Sequence, residues 1–332
     1  MNVIIIGGGI AGCEAAIRLA NQGIKVVLIE KENVLGGKLN QWHVLFPDYK
    51  KAEKLKNELL KKIDNPNITI YLNSEIKEAA KSDDGFKVML PDTTILKADK
   101  LLITTGYNLF EAQRKEEYGY GIYKNVITSA DLEKAFSNNN LDKNIKRIAF
   151  IHCVGSRDEK VCNLYCSKLC CITAVKQAME VRERLPDAEI ICFYMDMRMF
   201  GSGYEEMYRE AQENSDIKFI RGRLSEASEN IDKQIVIKTE DTLMGKPLKM
   251  TIDLMVLMVG MEPNKRTKNI AQQLNINLSD SGFIKPLDAH FGNNLTNING
   301  VFVAGCASAP MTITDTINDS RSAAASIIES EK

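Results

Sequence analysis

The sequence predicts an α/β protein built from two Rossmann-like dinucleotide-binding domains, and three observations carry that prediction. Apolar strand-like runs alternate with helix-period segments through both halves of the 332-residue chain, the rhythm that produces parallel sheets. A glycine-rich turn, Gly7-Gly8-Gly9-Ile10-Ala11-Gly12, separates the first apolar run from the first helical one. Five of the eight cysteines fall between 153 and 171, where the first strand-to-helix turn of a second domain belongs.

The elements follow in order. Residues 3–6 read as a buried strand, 11–22 as a helix stopping at Gly23, and 25–30 as the next strand. A polar helix is expected over 49–63. Strands are expected at 68–72 and 86–90, with Ser82-Asp83-Asp84-Gly85 as the turn before the second. Residues 100–104 form another strand closing on Gly106. From 111 to 144 the pattern weakens to a connector with one helix at 129–136. A second alternating series then opens at 147–151 and runs through a helix at 171–185, a strand at 189–194, a helix at 203–213 and a strand at 217–220. Strands at 235–238 and 252–259 continue it; a strand at 301–304 and a helix at 313–328 end the chain. No short internal repeat is present.

Composition excludes several classes of function. At 44% hydrophobic and 26% charged residues the chain is globular rather than disordered. Forty-three basic residues against 44 acidic ones leave no bulk attraction to nucleic acid or to an anionic membrane. No basic segment precedes the apolar 3–6 run, so no export signal is expected, and runs such as 254–259 are too short for a membrane span. A cytoplasmic setting follows, in which clustered cysteines point to metal ligation or redox chemistry rather than structural disulfides.

The G-x-G-x-x-G turn sits directly between a strand and a helix. Gly7 permits the tight turn, Gly9 lets a pyrophosphate approach backbone N–H groups, and Gly12 allows close helix–strand packing. The helix N-terminus adds partial positive charge. Glu30, ending the second strand, is expected to accept hydrogen bonds from the adenosine ribose. FAD is favoured over NAD because a second glycine turn, Gly36-Gly37, follows soon after, and because Leu101–Gly106 and Gly300–Gly305 resemble two later motifs of the pyridine nucleotide–disulfide oxidoreductase superfamily.

That resemblance implies a thioredoxin reductase-like arrangement with the second domain inserted into the first: 1–110 and 262–332 as the FAD domain, 111–144 as connector, and 145–261 as the insert. It also implies that the helix from Ile313 aims its N-terminus at the flavin pyrimidine edge. The expected cofactor-binding set is Gly7, Gly9, Ile10, Ala11, Gly12, Glu30, Lys31, Gly36, Gly37, Lys38, Ile76, Thr105, Gly106, Gly305, Cys306, Ile313, Thr314 and Asp315. Cys306 stands where the superfamily places an aspartate. It reads either as a small buried thiol or as a group that touches the flavin; no other catalytic side chain is expected, the flavin itself being the redox centre.

Cys153, Cys162, Cys166, Cys170 and Cys171 form C-x8-C-x3-C-x3-C-C. The spacing matches neither paired zinc-finger cysteines nor a ferredoxin run. Cys166 and Cys170, four apart, would share one face of a helical turn, and the adjacent Cys170-Cys171 need a distorted helix start. His152 is an alternative ligand or a packing residue. Iron–sulfur, zinc and dithiol readings stay open on this pattern alone.

Cys153-Val154-Gly155-Ser156-Arg157 and Tyr165-Cys166-Ser167-Lys168-Leu169-Cys170-Cys171, with Tyr118-Gly119-Tyr120-Gly121, Met195-Asp196-Met197-Arg198 and the stretch from Gly305 to Thr316, together resemble the A-type component of heterodisulfide reductase. The absence of a ferredoxin-like C-x2-C-x2-C insert resembles the short form found in heterodisulfide reductase-like sulfur-oxidation complexes. The resemblance implies FAD and a [4Fe–4S] cluster in one polypeptide, with Cys153, Cys166, Cys170 and Cys171 as ligands and Cys162 as an extra or alternative one. It further implies B- and C-type partner subunits and a homodimer. Trp42 reads as a core residue or a flavin contact, and Arg198 as a partner of Asp196, a plain surface ion pair, or a charge that steadies the cluster. Two other functions fit the residues: an NAD(P)H-dependent disulfide reductase using Cys162 and Cys166, and a flavin-binding assembly module with structural zinc.

Overall fold

The computed structural model describes residues 1–331, which fall into two compact units, each with its own parallel sheet. One unit comprises Met1–Asn40, Ala52–Asn108 and the chain from Glu262 onward; the other comprises Gln41–Lys51 and Leu109–Met261.

In the first unit five strands run parallel in the order Val301–Val303, Lys100–Ile103, Asn2–Ile6, Lys25–Ile29, Ile68–Tyr71. Alternation along the central strand builds two cores. Val3 and Ile5 pack under the Ile10–Ala20 and Ile313–Glu329 helices, together with Ala16, Ala323 and Ile327. Ile4 and Ile6 face an antiparallel meander of Glu78–Ser82, Gly85–Met89 and Ile95–Ala98, and the Lys265–Leu274 helix. Strand order reverses at Asn2–Ile6, whose neighbours are Lys25–Ile29 on one side and Lys100–Ile103 on the other, so the crevice at its C-terminal end is the ligand position in a doubly wound sheet.

The second unit repeats the plan. Its parallel strands run Ile217–Arg221, Glu189–Tyr194, Arg147–Val154, Leu254–Val259, Val126–Thr128. Glu226–Glu229, Ile235–Asp241 and Lys246–Ile252 form an antiparallel meander. The outermost strand comes from upstream of the central one. That corrects the expected connector: 126–128 pairs in parallel with the Leu254–Val259 strand, and the Ser129–Ser137 helix after it carries Leu132 and Phe136 into the unit's core. Thr128 and Asp131 close a capping box that sets the helix start.

Three further expectations change. The polar helix begins at Ala52, not 49, and residues 41–51 belong with the second unit. The run expected as one strand over 252–259 is two, because Ile252 ends the antiparallel strand and Leu254 opens the parallel one. Helix Lys265–Leu274 is an addition to the expected elements; its apolar face is only Ile270, Ala271 and Leu274, and its start is fixed by the Asn264 side chain accepting from the Arg266 N–H.

A buried charge network ties residues 41–51 to the second unit's helices. Glu133 bonds the Lys176 ammonium, Gln177 Nε2 at 2.7 Å and the His43 N–H at 2.8 Å, and Lys176 also reaches Glu180 at 3.0 Å and the Val44 carbonyl at 3.2 Å. Burial, with Glu133 nearby, pushes the Glu180 carboxyl up to about 7 against the pull of Lys176. A carboxyl raised in the folded state stabilises fully below its unfolded value near 4.5, and that contribution is lost as pH rises through 7. His43, whose pKa burial lowers, acts in the opposite sense over part of this window. The expected result is therefore a difference: Glu180→Gln should remove roughly 3 kcal/mol of the stability change between pH 4.5 and 7 relative to the parent. Urea denaturation at both pH values measures it, and parallel curves would refute it.

Among the described residues no helix is long and apolar enough to cross a membrane.

Candidate functional site

At the C-terminal end of the first unit's central strand, Gly7 has a φ of 113°, and a Cβ there would stand 2.5 Å from the Thr104 carbonyl oxygen. Gly12 packs still closer, against the Gly7 carbonyl and 2.8 Å from Thr104 Oγ1. Thr104 Oγ1 in turn donates to the Gly7 carbonyl at 2.8 Å, so strand, turn and helix form one tight knot. Gly9 differs. Its nearest neighbour for an added Cβ is Gly37 Cα at 4.0 Å, while Gly37, with a φ of 53°, faces Gly9. Two glycine turns thus meet backbone to backbone, a Cβ at Gly37 standing 3.0 Å from Gly9 Cα, at the head of the Ile10–Ala20 helix, which has no side-chain cap. Backbone free of side chains at a helix N-terminus fits a pyrophosphate.

Glu30 is buried, and its carboxylate already accepts from the Gly8 N–H at 2.7 Å and the Glu32 N–H at 2.9 Å. Each oxygen keeps a second lone pair for a ligand hydroxyl, so Glu30 both braces the glycine turn and presents an acceptor. Gly36 joins through its N–H to the Gly8 carbonyl at 2.8 Å. Lys31 is exposed and paired with Glu32, Lys38 lies 5.6 Å from the Tyr107 ring centroid, and Ile76 packs at the edge of the meander core. Thr105 bonds Thr267 at 2.5 Å and receives the Asn264 amide on its carbonyl, and a Cβ at Gly106 would meet open space.

At the last strand Gly305 approaches Ala11, leaving 2.9 Å for an added Cβ. Cys306 is buried, donates weakly to the Met311 carbonyl at 3.7 Å, and is pushed up to about 11 by burial, so it is a neutral thiol at physiological pH. Asp315 closes a capping box with Thr312 at the start of the Ile313–Glu329 helix, while Ile313 is half-buried and Thr314 exposed.

Sequence reasoning missed Asp319. Its carboxylate accepts from the Gly305 N–H at 2.7 Å and the Asn294 amide at 2.9 Å, taking over as the acid at this strand end. Asp319→Ala leaves the Gly305 N–H without a partner, while the Asn294 amide keeps the Val303 carbonyl, and should destabilise the protein by about 1–3 kcal/mol in urea denaturation; an unchanged midpoint would remove this role.

In the second unit the turn after Arg147–Val154 is stretched over 155–169 before the Cys170–Arg184 helix begins. Residues 157–165 fold as a small hairpin, with Asp158 and Asn163 paired across it. Asp158 is buried between Lys115 and Arg223, each at 2.7 Å. Ser167 bonds Ser156 and accepts from the Met261 N–H at 2.8 Å, and Tyr165 donates to the Met261 carbonyl at 2.8 Å. No signal in the sequence pointed to Lys115. Four non-glycine residues here, Cys153, Arg157, Cys162 and Lys168, have φ between 52° and 63°, a conformation rare enough to mark a functional loop.

That loop gathers the thiols unequally. Cys153 and Cys170 are buried with sulfurs 3.8 Å apart, and Cys171, buried beside them, donates to the Asp196 carbonyl at 3.6 Å. Cys166 is half-buried and accepts from the Lys168 N–H at 3.3 Å; Cys162 is exposed on the hairpin. The expected helical face for Cys166 and Cys170 is absent, because left-handed Lys168 stops the helix from extending back past Leu169. Hydrogen bonds from Cys153 and then Cys171 hold the Cys170 thiol well below the ordinary thiol range, and the same contacts raise Cys153 and Cys171. Asp196 pairs with Arg157 at 2.7 Å and Arg221 at 3.6 Å rather than with the expected Arg198. Trp42 is half-buried in the second unit's 41–51 segment.

Among the described residues no three His, Cys, Asp or Glu side chains converge tightly enough to hold one metal ion. The donors present are thiols at an uncapped helix start, chemistry that suits thiophilic iron. His152 beside them is buried with neither ring nitrogen hydrogen-bonded. An orphaned buried imidazole against a set of thiols fits a group that completes the site.

Residues 2–65 match the family model described as FAD dependent oxidoreductase. The A-type iron-sulfur component of the CoB–CoM heterodisulfide reductase of Methanocaldococcus jannaschii is 31% identical over 98% of this chain. Over nearly all of its length the chain is similar to the heterodisulfide reductase A-type component. It spans 63% of that relative's length. It spans 53% of the corresponding component of the ferredoxin/F420H2-dependent CoB–CoM heterodisulfide reductase of Methanosarcina acetivorans, which is 30% identical over 99% of this chain. Thioredoxin reductases from Thermoplasma acidophilum and Lactococcus lactis share the fold, with TM-scores of 0.70 and 0.71, at 19% and 20% identity, over 99% of this chain and 98% of theirs. The chain has the fold of these thioredoxin reductases, with cysteines at the strand-to-helix turn of its second unit.

Proposed function

We propose that this chain is an FAD- and iron–sulfur-containing electron-transfer component of a heterodisulfide reductase-like complex. The observation that carries the reading is the meeting of Cys153 and Cys170 at the head of the Cys170–Arg184 helix, beside Cys171. When bound, FAD supplies two-electron chemistry and a [4Fe–4S] cluster supplies one-electron transfer.

The chain's own residues do the binding. Gly7, Gly9, Ile10, Ala11, Gly12, Gly36 and Gly37 cradle the flavin diphosphate; Glu30 and Lys31 stand at the ribose, and Lys38, Ile76, Thr105, Gly106, Gly305, Cys306, Ile313, Thr314 and Asp315 line the rest of the flavin. Cys153, Cys166, Cys170 and Cys171 ligate the cluster, and Cys162 is a spare on the exposed hairpin. Asp158, Ser156 and Ser167 fix the loop that presents the thiols. The partners are B- and C-type subunits, the chain forms a homodimer, and it works in the cytoplasm.

Anaerobic purification with iron, sulfide, zinc and flavin quantified, together with EPR of the dithionite-reduced protein, tests this. About four irons and four sulfides per flavin are expected from a [4Fe–4S] centre. Zinc alone, or bound pyridine nucleotide with no iron, would overturn it.

A further inference from the structure

His152 is 7% exposed, and neither Nδ1 nor Nε2 has a hydrogen-bond partner. A neutral imidazole carries one N–H donor and one acceptor, and leaving them unmet in a core is unfavourable enough to demand a reason. The strand explains where the ring points. Along Arg147–Val154, Ile148 and Phe150 pack into the core beneath the Cys170–Arg184 helix, while Ala149, Ile151 and Val154 pack into the opposite one. Two-residue alternation puts His152 on the helix side, where the Tyr194 ring lies 6.5 Å away, centroid to centroid.

Alternation alone would send Cys153 to the other face. Its φ of 58° and the register shift between Ile151 and Val154 turn it back, so it shares the core of Cys170 and Cys171. Two successive residues thus face the same helix head, whose core holds Cys153, Cys170 and Cys171. Cys170, at the head of that helix, is the charged group near enough to act on the ring electrostatically.

We propose that His152 donates an N–H hydrogen bond to a sulfur of the iron–sulfur centre, without ligating iron, and so raises that centre's reduction potential. This rests on the cluster reading above. Four thiols already supply the ligands of a [4Fe–4S] centre, leaving the imidazole to act from outside. The reduced centre carries one more negative charge than the oxidised one, and a donor aimed at its sulfur stabilises the reduced form more.

EPR-monitored redox titration of the full chain, purified without oxygen, tests the proposal on the parent, His152→Leu and His152→Gln. Leucine removes the donor and should move the potential to more negative values; glutamine keeps an N–H and should hold it near the parent. A second measurement does not depend on the variants folding. With 15N-labelled histidine in the parent chain, which contains three histidines, ENDOR of the reduced centre should show a weak nitrogen coupling. A strong coupling, as from a bonded ligand, overturns the proposal, as does no coupling, or an unmoved potential in a cluster-loaded His152→Leu. Absence of iron and sulfide from the parent would instead remove the cluster reading itself.

Discussion

Cys170→Ala should strip the anaerobically purified protein of iron and sulfide while its flavin stays bound. Cys170 is the first residue of its helix, buried, 3.8 Å from the Cys153 sulfur, and it is the thiol its neighbours hold furthest toward the thiolate. Thiolate is the ligating form, so removing it takes away the ligand best prepared to bind. Alanine is the stronger helix former, and the Cys170–Arg184 helix keeps Val175, Ala178 and Val181 in the core, so the fold should survive. The Gly7–Gly12 turn belongs to the other compact unit, which is why flavin absorbance is expected to persist. The EPR signal of the reduced centre should vanish. Full iron and sulfide content in Cys170→Ala would sink the ligand assignment.

Gly12→Ala should have the opposite signature. A Cβ at Gly12 has nowhere to go: it falls on the Gly7 carbonyl oxygen and comes within 2.8 Å of Thr104 Oγ1, and the Gly7 carbonyl already accepts from that hydroxyl. Parting helix from strand to make room displaces the helix start and the close approach of Gly9 and Gly37. Overpacking of this kind is worth about 1–3 kcal/mol, so flavin affinity should fall by roughly fivefold to 150-fold. The control is Gly23→Asn, at the far end of the same helix, where an added Cβ meets nothing within 4 Å and only the left-handed φ of 78° is at issue. It should lose some stability and no flavin affinity. Isothermal titration of the deflavinated proteins with FAD separates the two, and equal affinities for Gly12→Ala and the parent would show that the knot at Gly7 can yield.

What the chain order discloses differs from element to element. The strands at Asn2–Ile6, Lys25–Ile29 and Glu189–Tyr194 and the helix at Cys170–Arg184 are long apolar or strongly periodic stretches, and they form within one or two residues of where the pattern puts them. The meander strands Glu78–Ser82 and Lys246–Ile252 leave no such trace. EAAKS and KPLKMTI carry few apolar side chains, and these strands exist because a neighbour pairs with them. Val126–Thr128 is only three residues long and reads as connector; the Leu254–Val259 strand beside it makes it a strand.

The chemistry divides in the same way. From sequence alone came the identity of the groups: glycines where backbone must approach a phosphate, an acid ending the second strand, and thiols where a nucleotide turn would stand. Those are properties of residue type at short range, and chain order preserves them. Tertiary structure alone decided which groups meet. It put Asp319 under Gly305, Lys115 and Arg223 around Asp158, and the unpartnered His152 against the thiols, because contacts between residues tens to hundreds apart depend on how sheets stack. It also turned Cys153 toward Cys170 through a left-handed residue that no spacing rule could foresee.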